Sequence, residues 1–197
     1  MNKNNMNGIV KVLFTNAQSI VNKMDLIETQ VYELSPDVIA ITESWTHDEI
    51  SKEMLKLSGY DLIGRSDRTD TLKGRGGGIL LYSRLPHIYE QAANRTEQVI
   101  HSTLSIRDNV DIHFHVFYRS PNSSDEINEE VITFIQNIPQ NSILIGDFNY
   151  PEINWSTLSC SHAPGKLFLD TVNDKFLNQH VNFPTNLTPQ PNGSISF

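Results

Sequence analysis

Cysteine is nearly missing from this 197-residue sequence: the single Cys160 excludes an internal disulfide framework, fits a reducing compartment and leaves stability to packing. Positive charge is scarce too. There are 15 Lys plus Arg against 23 Asp plus Glu, a formal net charge of −8, which argues against a general polyanion binder. Any nucleic-acid contact must then come from a local basic surface. No apolar run approaches the ~20 residues of a membrane span, and the Asn-rich start, Met1 to Gly8, lacks the apolar stretch of a signal peptide. These absences predict a soluble intracellular protein, nuclear or cytoplasmic, with no membrane partner. Internal repeats and low-complexity segments are also lacking. The hydrophobic fraction, 38%, is somewhat low but sufficient at this length for a substantial core and one folded unit.

What is present has a clear order. The β-branched run Ile9 to Thr15 predicts a strand, and Ile20, Met24, Ile27, Val31 and Leu34 at three- and four-residue steps predict a helix that Pro36 closes. Val38 to Thr42 reads as a short buried strand, Asp48 to Leu57 as weakly helical, and Tyr60 to Gly64 as a strand before a polar loop from Arg65 to Arg75. Gly76-Gly77-Gly78 leads into the strand run Ile79 to Tyr82, and Gln98 to Ile106 and Asp111 to Tyr118 look like antiparallel neighbours. Ser123 with Glu126 suggests a capping box for a helix carrying Ile127, Val131, Phe134, Ile135 and Ile138, ended by Pro139. A strand Ser142 to Ile145 and a helix Lys166 to Asn178 follow, and Pro184 to Phe197 has no period. Interleaved strands and helices with hairpin-like pairs predict an α/β four-layer sandwich, two face-to-face mixed β-sheets flanked by helices.

Three apolar strands each end in polar residues: Asn16, then Glu43, then Asp147 with Asn149. In layered α/β proteins ligands gather at strand ends, so such residues can converge on one site. Carboxylates there suit Mg²⁺, which takes one or two protein carboxylates plus phosphate oxygens and keeps several waters. In extended chain Asp147 and Asn149 share a face, so a carboxylate to take a proton from water and an amide to orient it would stand together. The bland alternative is a turn, since Gly, Asp and Asn are common turn formers.

Thr15-Asn16-Ala17-Gln18-Ser19, Ile41-Thr42-Glu43-Ser44-Trp45, Arg75-Gly76-Gly77-Gly78-Ile79, Tyr118-Arg119-Ser120-Pro121 and Gly146-Asp147-Phe148-Asn149-Tyr150-Pro151 follow one another in a recognisable order. In order and rough spacing they resemble the motifs of the endonuclease/exonuclease/phosphatase superfamily. With Ile153-Asn154-Trp155 the chain looks most like the endonuclease of non-LTR retrotransposons. The resemblance spans residues 9–185, between a disordered start at 1–8 and an irregular tail at 186–197. It implies a Mg²⁺-dependent DNA endonuclease, with Mn²⁺ as an alternative ion. Glu43 would bind the metal with Asn16 beside it, Tyr118 would hydrogen-bond a phosphate oxygen, and Asp147 and Asn149 would position and deprotonate the attacking water. Arg75, Arg119 and Asn122 would contact nucleic acid, and DNA and the reverse transcriptase of a full-length element are the implied partners.

The superfamily's late Ser-Asp-His motif is not found here, since His180 follows Asn178-Gln179. The last strands of one sheet are therefore expected to be missing, with an exposed sheet edge and an uncovered core face, and the activity of this chain is open. A phosphatase of the same superfamily and an inactive remnant that binds nucleic acid weakly are the alternative readings. Other signals read more plainly. The glycine triplet has no following Gly-Lys-Ser/Thr and suggests a tight turn rather than a nucleotide loop. His113 and His115 suggest a polar strand face, because no third metal ligand has diagnostic spacing. Cys160 and His162 lack an orienting residue for nucleophilic catalysis, and Trp45 and Trp155 suggest core packing before base stacking. Arg65, Arg68, Lys73, Arg75 and Arg84 are the candidate DNA-backbone surface, diluted by Asp67 and Asp70.

Overall fold

The computed structural model describes residues 9–67, 76–85, 87–88, 99–106 and 110–181. The start at 1–8, the basic residues Arg68, Lys73 and Arg75 and the tail at 186–197 lie outside the described residues. Contacts within the chain group into two compact units, Met1–Ser120 with Pro139–Phe148, and Pro121–Ile138 with Asn149–Phe197. The sequence reading has a single folded unit over this span.

The first unit contains β1 (Val12–Asn16), α1 (Met24–Leu34), β2 (Val38–Thr42), β3 (Asp61–Ser66), β4 (Ile79–Ser83), β5 (His87–Ile88), β6 (Val99–Ile106), β7 (Val110–Tyr118) and β8 (Ser142–Asp147). One mixed sheet has the order β1-β2-β4-β3 and the other the order β5-β6-β7-β8, with β1–β2 and β7–β8 parallel and the remaining pairs antiparallel. All five residues of β2 are buried, as an unbroken apolar run predicts for a strand covered on both faces.

Alternation divides those residues between two cores. Val38, Ala40, Ile79 and Leu81 of the first sheet meet Ile100, Leu104, Phe114 and Val116 of the second, so the sheets pack face to face. Ile39, Ile41, Leu80 and Tyr82 point the other way and are covered by Ile27 and Val31 of α1 with Ile20, Leu55 and Leu57. Each such side chain contributes about 1.5–3 kcal/mol by leaving water. The result is the expected α/β sandwich of two mixed sheets with helices. On the edge strand β1, Val12 and Phe14 share the register and face of Val38 and Ala40 but remain 38% and 39% exposed.

Several local expectations change. The helix expected over Asp48 to Leu57 reduces to a single 3-10 turn, Glu53–Leu55, because Lys56 is extended and the segment buries Leu55 and Leu57, two residues apart. Arg65 fixes that segment from outside by donating to the carbonyls of Ile50 (2.7 Å) and His47 (2.6 Å). The N-cap of α2 is Ser124, not Ser123, and its side chain makes no capping bond. The two-residue strand β5, paired antiparallel with β6, has no signal in the sequence pattern.

The second unit holds α2 (Asp125–Gln136) and α3 (Ala163–Asp174). Helix α3 begins before Lys166, because Pro164 is tolerated in a first turn whose N–H groups have no helical partner. The Tyr150 ring packs on Phe168 with centroids 4.8 Å apart, and its hydroxyl donates to Asn128 Oδ1 at 3.1 Å. The Cys160 thiol donates to the carbonyl of His162 and does not address its ring. Among the described residues, no helix is long and apolar enough to cross a membrane.

On β6 and β7 the face turned from the inter-sheet core carries His101, His113 and His115. His115 is 1% exposed, stacks on His101 at 4.6 Å and pairs through Nε2 with Ser142 Oγ at 3.1 Å. No group of three metal-ligating side chains occurs among the described residues. Burial first, then the neighbouring His101 and His113, push the His115 pKa down to about 3. This folded-state value lies below the ~6.5 of an unfolded histidine. The unfolded chain therefore takes up the proton first, and stability present above that value is lost as pH falls through the window below it. Urea unfolding at pH 7 and pH 5 is expected to show a loss of about 2 kcal/mol that His115→Gln lacks. Equal losses in both proteins would refute a neutral buried His115.

Candidate active site

Backbone hydrogen bonds stitch three strand-tip segments of the first unit together. After β1, the N–H groups of Ala17, Ser19 and Ile20 donate to the carbonyls of Thr42 (2.9 Å), Glu43 (2.9 Å) and Ser44 (3.0 Å). After β2, the N–H groups of Ser44 and Trp45 donate to Gly78 (3.2 Å) and Gly77 (3.0 Å), which lead into β4. Meeting these partners forces unusual backbone. Gln18, Ser19, Glu43 and Trp45 have φ of +45°, +79°, +53° and +55°. Left-handed conformation in non-glycine residues costs about 1–3 kcal/mol each and clusters at functional sites. The glycine triplet is a tight turn as expected, and close approach explains Gly78, where a Cβ would lie 2.5 Å from Ser44 Oγ.

The polar residues project from these tips. Asn16 ends β1 in register with Thr42, the residue before Glu43. Its Nδ2 donates to Asp147 Oδ2 at 3.1 Å, an exposed bond across 131 residues that joins the C-terminal ends of β1 and β8. Asp147 lies in register with Tyr118 at the end of β7, and its carbonyl accepts the Arg119 N–H at 2.9 Å. Glu43 is half-buried, and its Oε2 accepts the Trp45 indole N–H at 2.6 Å and the Gly77 N–H at 3.0 Å. Among the described residues, Glu43 Oε1 accepts no hydrogen bond. The ends of both sheets thus carry one carboxylate held by an amide and another held by two N–H donors.

Other expected residues are placed differently. Asn149 falls in the second unit with φ +50°, and β8 stops at Asp147, so the strand alternation invoked for these two side chains does not reach Asn149. Arg119 is only 4% exposed and donates through Nη1 to the Phe148 carbonyl at 3.3 Å. Asn122 is exposed on a turn of the second unit, and Arg75 lies outside the described residues. Two members of the candidate DNA surface are tied down within the first unit. Arg65 grips Asp67 with Nε and Nη2 at 2.8 and 2.7 Å, and Arg84 grips Asp37 with Nε and Nη2 at 2.9 and 2.8 Å.

Sequence reasoning missed Trp45 and Gly77 as partners of Glu43. The available signal was their setting: a tryptophan two residues past the acid, and a glycine whose free N–H a turn can aim.

Residues 112–196 match the family described as endonuclease-reverse transcriptase. The endonuclease domain of TRAS1, a telomere-specific non-LTR retrotransposon, superposes with a TM-score of 0.66 at 15% identity, covering 96% of this chain and 82% of that one. This chain has the endonuclease/exonuclease/phosphatase fold. The same fold aligns with an AP endonuclease from Archaeoglobus fulgidus, TM-score 0.60 and 12% identity over 84% of this chain and 70% of that one. It also aligns with the 3' phosphatase NExo from Neisseria bound to product DNA hairpin, TM-score 0.57 and 15% identity over 85% of this chain and 71% of that one. No curated protein matches in sequence.

Proposed function

We propose that the strand-tip site of the first unit is a divalent-cation-dependent phosphodiesterase centre that nicks DNA. The observation that carries the reading is the Asn16–Asp147 hydrogen bond, which brings together two expected site residues that stand 131 positions apart in the chain. The donors suit Mg²⁺ or Mn²⁺, for Glu43, Asp147 and the Asn16 amide offer hard oxygen atoms. Thr42 supports this further: its hydroxyl, immediately before Glu43, is buried without a hydrogen-bond partner, and a water of a hydrated cation would satisfy it.

A bound cation would supply charge stabilisation at phosphate oxygens. The chain's own residues do the rest. Asp147, its carboxylate steadied by Asn16, accepts a proton from the attacking water as the new P–O bond forms opposite the breaking one, whose departing oxygen leaves as the DNA hydroxyl after taking a proton from solvent. Tyr118, beside Asp147 in the register, donates its hydroxyl to a phosphate oxygen. In a full-length element the resulting nick would prime a reverse transcriptase.

The test is to incubate the protein with supercoiled plasmid and Mg²⁺, and in parallel with 3'-phosphorylated DNA and inositol phosphates. Conversion of supercoiled to open-circular plasmid, abolished by EDTA, is the expected result. Phosphate release without nicking would instead assign a phosphatase of the same fold.

A further inference from the structure

We propose that Trp45 is a positioning residue for the Glu43 carboxylate, turning Oε1 toward the cation by holding Oε2. The inference rests on the metal-site reading above. A glutamate side chain has several free rotors, and one hydrogen bond leaves its head able to swing. Here two donors from different segments converge on one oxygen, the Trp45 indole at 2.6 Å and the Gly77 N–H at 3.0 Å. They occupy both lone pairs of Oε2 and leave those of Oε1 directed elsewhere. The short indole contact is the charge-assisted kind. A third bond closes the arrangement, because the Trp45 backbone N–H donates to Gly77 O at 3.0 Å and so ties the two donors to each other.

Packing does not account for Trp45. It is half-buried and belongs to neither apolar cluster. Its φ of +55° is rare for a bulky side chain, and in that conformation the indole of residue 45 donates back to the carboxylate of residue 43. Residues that orient a ligand through its other oxygen typically change metal affinity by about 10–100-fold.

The experiment uses the whole chain and Mn²⁺, with binding followed by electron paramagnetic resonance of the free ion. Trp45→Phe, which keeps the ring and loses the N–H, is expected to weaken Mn²⁺ binding about tenfold, while Trp45→His, which restores a ring donor, recovers part of it. In the ¹H–¹⁵N spectrum the Trp45 indole signal, identified with Trp155→Phe, should lie downfield and move as Mg²⁺ is added. Wild-type affinity in Trp45→Phe together with lost binding in Glu43→Gln would overturn the positioning role and leave the metal site standing. Undiminished binding in Glu43→Gln would overturn both. Should Trp45→Phe fail to fold, the wild-type spectrum decides: an indole signal at its free-solvent position and indifferent to Mg²⁺ ends the proposal.

Discussion

Glu43→Gln is expected to lower Mg²⁺-dependent plasmid nicking by on the order of 10³-fold or more. The substitution keeps the side chain's volume and leaves an oxygen able to accept the Trp45 and Gly77 N–H groups, so the tip segments keep their partners. What disappears is the negative charge. Because a cation and the carboxylates that hold it work as a unit, the loss should not be recovered by more substrate. Saturating Mg²⁺ should restore little. The melting temperature should change by less than about 2 °C, the usual scale for a substitution that breaks no packing. Asp147→Asn should behave alike, since it retains an acceptor for Asn16 and loses the proton acceptor. Wild-type nicking by either variant at ordinary Mg²⁺ would dismiss the site.

Gly146→Ala is expected to act on the fold itself. A Cβ at this position would stand 2.0 Å from the Phe117 carbonyl oxygen, 2.8 Å from its carbon and 2.9 Å from its nitrogen. All three atoms are backbone of the neighbouring strand, so no flexible side chain can yield. The strand β8 would have to withdraw from β7, undoing the register that pairs Phe117 with Gly146 and Tyr118 with Asp147. Overpacking against rigid backbone costs about 3 kcal/mol or more at the severe end of its range. For a chain of this size that means a melting temperature lower by roughly 6–12 °C. Thermal unfolding followed by circular dichroism measures it directly, and a melt within 2 °C of wild type would show that the two strands can separate without penalty. Gly146 thus serves the site by letting the strand bearing Asp147 approach the strand bearing Tyr118.

The sequence reading succeeded where a local pattern has a physical cause contained in a few neighbouring residues. The run Val38 to Thr42 is apolar on both faces because both faces are covered, and of the three- and four-residue steps from Ile20 to Leu34, Ile27 and Val31 become the buried stripe of α1 while Leu34 at its end stays 52% exposed. It faltered at Asp48 to Leu57, where two arginine hydrogen bonds from β3 to carbonyls override a weak helical preference. It also overvalued charge. Arg65 and Arg84 read as a surface for phosphate, yet Arg65 is committed to Asp67, two residues away, and Arg84 to Asp37, 47 residues away, a pairing that no linear pattern assigns.

By itself the sequence determined every strand but the two-residue β5, that several end in polar residues, and which carboxylates and amides stand there, because alternation and turn chemistry act over short distances. Only the tertiary structure decided that Asn16 meets Asp147, that Trp45 and Gly77 hold one oxygen of Glu43, and that Asn149 leaves the strand. Those outcomes depend on register between strands distant in the chain and on left-handed backbone stabilised by partners across the sheet. A sequence specifies such contacts only through the fold as a whole.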